Sequence, residues 1–155
     1  MEDLKALDHV IQLMTSSPPF SPEKLLELRN QDKARQEQAF QKMLGEGVNY
    51  GVATGMHEFL NKPENEFRAF LKSTDNDLNM HVGIITADFN LYLQRGEVPA
   101  PYYAWRIAVI LRKMKFGDKE HSFLAGWCNH FARLETVGGR YRDLVIRTRK
   151  LGIEI

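Results

Sequence analysis

Residues 78–95 constrain the fold more than any other stretch of this chain. Projected at about 100° per residue, Leu78, Val82, Ile85, Phe89, Tyr92 and Leu93 fall on one face, and Met80, Ile84, Ala87 and Leu91 form a second. A helix that is apolar on two faces must lie between neighbours, so it belongs at the centre of a helical fold. Val82 to Thr86 would also suit a strand, but Gly83 weakens that alternative. The next segment, Tyr102 to Leu111, is apolar on nearly every side. The pair 78–95 and 102–115 is therefore the expected buried centre. The chain as a whole, residues 1–155, reads as one compact all-α domain of about seven or eight helices.

The rest of the chain keeps the helical period. Leu4, Leu7, Val10, Ile11 and Met14 predict an amphipathic helix over 2–15, and Ser16 to Phe20 a linker. Residues 1–20 are thus an N-terminal helix and linker that could attach loosely to the rest of the domain. Ser21 is a cap, with Pro22 at the first helical position and Glu23 near the positive end of the dipole. That helix turns polar from Arg29 to Gln38, so its middle is either exposed or broken near Asn30. Gly45 and Gly47 should stop it. Val48 to Leu60 reads as a short helix, although Gly51 and Gly55 cost it roughly 2 kcal/mol of propensity. Another begins at Pro63, and Ser73 to Asp77 is a turn and cap cluster. Gly96 ends the central helix, and the last two helices start at an Asp118 cap and after Gly138-Gly139.

Length and charge narrow the function classes. A chain of 155 residues can bury a core without metal or disulfide support. Its single cysteine, Cys128, precludes an internal disulfide and does not suggest an oxidising compartment. Met1 to Leu4 lacks the basic-then-apolar layout of a signal peptide, and Arg106 and Arg112 interrupt the best apolar run. A cytoplasmic protein with no membrane contact is expected. The net charge of +1 hides an asymmetry: residues 1–80 hold 9 Lys+Arg and 13 Asp+Glu, residues 81–155 hold 12 and 7. Opposite charges on two faces would suit a salt-sensitive homo-oligomer or an anionic partner.

Several constellations resemble catalytic or metal sites but fail on spacing. His57-Glu58-Phe59-Leu60-Asn61 resembles the zinc-protease helix, yet asparagine stands where the second histidine ligand belongs. His81, Asp88 and Arg95 lie on one line of the central helix, seven residues apart. Seven residues rise about 10 Å, too far for a dyad within the helix. His81, Asp88 and Arg106 are instead candidates for structural polar pairing, with Arg106 the counter-charge for Asp88 or Glu58. His121 and Cys128 share a helix face two turns apart, beyond the reach of one metal ion, and His130 projects elsewhere. No catalytic residues, metal ligands or cofactor are assigned.

The basic end carries the candidate binding surface. Tyr141, Leu144, Val145, Thr148 and Leu151 form a packing face, and Arg140, Arg142, Arg147, Arg149 and Lys150 take the other half. Asp143 offsets Arg147 at i,i+4, and Ile146 points outward among the arginines. The expected function is non-enzymatic: a binding or regulatory protein that meets a protein partner, with self-association as a corollary. The alternative is a nucleic-acid-binding module in which Ser122–Leu134 and Arg140–Leu151 act as a helix-turn-helix. Its connection is longer than the usual turn, and the near-neutral pI lacks a nucleic-acid binder's basic footprint. A metal- or thiol-dependent enzyme is the third possibility.

Overall fold

A computed structural model describes residues 4–46 and 77–155, together with Asn65 and Ala69. Those residues form an all-α protein of six α-helices: α1 (Lys5–Ser16), α2 (Pro22–Glu46), α3 (Leu78–Arg95), α4 (Pro101–Lys113), α5 (Gly117–Phe131) and α6 (Gly139–Lys150). A 3-10 turn over Ala132–Val137 joins the last two. The described count is slightly below the seven or eight expected. The helices expected over Val48–Leu60 and from Pro63, and the His57-Glu58 motif, lie outside the described residues.

The central helix forms where its two apolar faces required it. Asp77 caps α3 by accepting a hydrogen bond from the Met80 N–H at 3.1 Å. Gly96 closes it in the left-handed conformation, φ 70°, which a side chain would strain. Leu78, Val82, Ile85, Phe89 and Tyr92 are buried from one face and Ile84 from the other. The alternative strand at Val82–Thr86 is absent: these residues are helical. Helix α4 packs along α3, with Pro101 at its first position and Tyr103, Ala104, Ile107, Ala108 and Leu111 buried.

Helix α5 supplies Phe123, Leu124, Trp127 and Phe131 to the same core. Its start differs from expectation. The N-cap is Phe116, and Asp118 lies inside the first turn, where its charge meets the positive end of the dipole. Helix α1 crosses α5 at Gly126, where an added Cβ would stand 3.1 Å from the Met14 Cβ. Leu7, Val10 and Met14 are buried there. Ser21 caps α2 as expected, accepting from the Lys24 N–H at 3.1 Å. The helix then runs unbroken through Asn30, with its polar middle largely exposed.

Helix α6 closes the fold over α4 and α5. Its packing face is the one expected, with Leu144, Val145 and Thr148 buried and Tyr141 and Leu151 half-buried. The Tyr141 hydroxyl donates to the Pro99 carbonyl at 2.8 Å, tying α6 to the connection before α4. No described helix is long and apolar enough to cross a membrane.

Candidate functional site

The outer half of α6 meets α4 across a groove of about 260 Å³. Trp105 and Arg112 line it from α4, and Asp143, Ile146, Arg147 and Lys150 from α6. Helical spacing produces this set directly. Trp105 and Arg112 are two turns apart on one face of α4, and Asp143, Ile146, Arg147 and Lys150 follow the i, i+3, i+4, i+7 rule on α6. Ile146 is 42% exposed, as its place among arginines implied.

Glu120 organises the cations of this groove. It lies in the first turn of α5 and is only 2% exposed. Arg147 clasps it with two hydrogen bonds, Nε to Oε2 at 3.1 Å and Nη2 to Oε1 at 3.0 Å. Arg112, in the last turn of α4, donates its Nε to Oε2 at 3.4 Å. One carboxylate thus joins three helices. Both helix ends favour the arrangement, because an anion suits the start of α5 and a cation the end of α4. Hydrogen bonding to Glu120 pushes the Arg147 guanidinium pKa further up, so it remains charged.

Two further arginines of α6, Arg140 and Arg149, have partners within the fold as well. Arg140 donates to Asp143 at 2.9 Å, and its guanidinium carbon stands 4.8 Å from the centre of the Trp105 ring. Arg112 approaches the same ring at 5.9 Å. Both contacts are at cation–π distance. Arg149 donates to Glu135 at 2.9 Å, and this bond holds the carboxyl below its usual pKa. The i,i+4 pairing expected between Asp143 and Arg147 is replaced. Asp143 takes Arg140 one turn earlier, because Arg147 turns inward to the buried Glu120. Arg142 and Lys150 are exposed.

The polar-pair candidates lie on α3 and α4. His81 is fully buried, its ring 6.2 Å from that of Tyr102 and 5.9 Å from that of Tyr103. Asp88 is half-buried and close enough to Tyr103 for its charge to help burial raise that phenol's pKa. Arg106 is half-buried on α4. Arg95 stands 3.9 Å from Asp32, beside a second groove of about 440 Å³ that mixes Arg29 and Lys33 with Glu97.

Among the described residues the histidines and the cysteine do not converge on a metal site. Cys128 is buried and its thiol donates to the Thr148 hydroxyl at 3.3 Å; burial pushes its pKa up, away from the nucleophilic thiolate. His130 donates from Nε2 to the Met14 carbonyl at 2.8 Å, while His121 is exposed. Among the described residues no three His, Cys, Asp or Glu side chains are placed to hold a metal ion.

Two determinants of the groove escaped sequence reasoning, Glu120 and Trp105. A signal for Glu120 existed: it begins the i, i+3, i+4, i+7 series Glu120, Phe123, Leu124, Trp127 and so occupies an apolar-face position. A carboxylate there needs a buried partner. Trp105 was masked by the generally apolar character of α4. Comparison of the chain with protein-family models, with curated proteins and with solved structures finds no match.

Proposed function

We propose that this protein is a non-enzymatic binding or regulatory protein that docks a protein partner in the groove between α4 and α6. The observation that supports this most is the groove's composition: the half-buried Trp105 and the exposed Ile146 share its lining with Arg112, Arg147 and Lys150. Tryptophan and arginine carry a disproportionate share of binding energy at protein interfaces. Fixing the arginines beforehand lowers the entropy lost when a partner arrives. Glu120 does this for Arg112 and Arg147.

The pairing pattern favours a protein over nucleic acid. Binding to a phosphate backbone relies on cations that exchange counterions for phosphates. Arg140 and Arg149 already face Asp143 and Glu135. The test is affinity purification of the tagged full chain from its native cells after nuclease treatment, with Ile146→Asp alongside. Ile146 is exposed enough for the substitution to leave the fold intact. A protein recovered with the unaltered chain and lost with Ile146→Asp is the expected result. Equal recovery by both chains refutes the docking site, and nuclease-sensitive recovery favours the nucleic-acid alternative.

A further inference from the structure

Resting on that docking proposal, we infer that the groove's occupant is an acidic peptide segment, with a carboxylate seated on Arg112 and Arg147 and a bulky apolar side chain against Trp105 and Ile146. The charge balance points to an anion. Among the described residues, Arg112, Arg147 and Lys150 line the groove against one lining carboxylate, Asp143, which is bonded to Arg140. Behind them the single charge of Glu120 is shared by two guanidinium groups. A cationic excess therefore faces the groove.

Donor geometry agrees with the charge. A guanidinium carries five N–H donors, with no acceptor. Arg147 uses two of them on Glu120 and Arg112 uses one. Two bonds to the buried carboxylate fix the Arg147 plane and one anchors Arg112, and further N–H groups remain on both for a second carboxylate. Arginine pairs fixed in this way suit planar, bidentate acceptors.

Apolar contacts make the occupant a peptide more than a simple anion. Trp105 is half-buried and Ile146 is 42% exposed, so an aliphatic or aromatic side chain can cover both on binding. Covering such surface is worth about 25 cal/mol per Å² before the costs of association. A segment that places an acidic residue beside a large apolar one satisfies both halves of the groove. An acidic residue alone leaves the aromatic half wet.

The experiment pans a phage-displayed library of random peptides, about 12 residues long, on the full chain at low salt. NMR then locates selected synthetic peptides from the Trp105 indole and Ile146 methyl resonances. Expected sequences are net negative, with Asp or Glu beside Trp, Phe, Leu or Ile, and shift both resonances. Replacing their acidic residues by Gln or Asn, or Arg112→Gln in the protein, should weaken binding by about tenfold, and added salt should weaken it further. Neutral or basic peptides that shift the same resonances overturn the acidic assignment and leave the docking site standing. Selected peptides that shift neither resonance, or a selection that yields no binder, overturn both proposals. An oligothymidylate of similar length that shifts them at lower concentration than the acidic peptides overturns the acidic assignment in favour of nucleic acid.

Discussion

Glu120→Gln isolates the charge of the buried carboxylate while keeping its shape. In the native chain three charge-assisted hydrogen bonds converge on it, from Arg147 at 3.0 and 3.1 Å and from Arg112 at 3.4 Å. The amide retains one acceptor oxygen and turns an N–H group toward a guanidinium that also donates. A hydrogen bond to a charged group contributes about 1.5–3 kcal/mol, and breaking a fully buried pair costs about 3–5 kcal/mol. The Arg147 and Arg112 side chains are 24% and 40% exposed and can turn toward water, which lowers the cost. The expected loss is about 2 kcal/mol, equivalent to a Tm lower by roughly 4–8 °C for a domain of this size. Arg147→Gln should cost more, about 3 kcal/mol, because it leaves Glu120 buried with only its longer contact. Arg112→Gln should cost under about 1 kcal/mol. Urea unfolding with unchanged m values reads all three. A Glu120→Gln loss within about 0.5 kcal/mol of zero, or Arg112→Gln costing more than Arg147→Gln, refutes the assigned role of Glu120.

Other outcomes follow from the same structure. Burial holds the His130 imidazole below its ordinary pKa, as the first of the causes acting on it, and its Nδ1 has no described hydrogen-bond partner. The unfolded chain therefore binds the proton more readily. The His130 contribution is fully present above about pH 6.5 and declines as pH falls toward the lower folded value, by at most about 1.4 kcal/mol per pH unit. Urea midpoints from pH 8 to 5 should show this slope reduced in His130→Gln, and an identical slope in that variant contradicts it. Gly126→Ala should destabilise by about 1 kcal/mol, since crowding against the Met14 Cβ outweighs the gain in helix propensity. A raised Tm would show that α1 yields easily. Cys128 should react with a thiol reagent only as fast as the fold opens, and immediate stoichiometric labelling of native protein contradicts its burial.

Much of the fold was legible because the chain's period is helical and its stops are chemical. Asp77 and Gly96 bound α3 where the pattern placed them, and Ser21 and Pro22 start α2. Local signals were weaker at α5. Asp118 is a good cap by type, yet Phe116 takes the position, and Asp118 still benefits from the dipole one position into the helix. The candidate site was legible only in part. The outward place of Ile146 follows from α6 alone. Arg147 turns inward because of Glu120, 27 residues earlier in the chain, and Arg140 is drawn to Trp105 on α4. Those partners come together by packing three helices, which the periodicity of one helix does not encode. Arg149 likewise finds Glu135 through the 3-10 turn that joins α5 to α6.

Photo-cross-linking from position 146 tests the docking groove most directly. A photoreactive amino acid replaces Ile146 in one version of the full chain and Lys33, exposed on α2, in a second. Both are irradiated in native cells, and adducts are identified by mass spectrometry. The α4/α6 groove as the contact surface predicts a discrete protein adduct from position 146 that is absent from position 33 and lost on Trp105→Ala. Adducts that are the same from both positions, or a position 146 that yields none while position 33 does, contradict it.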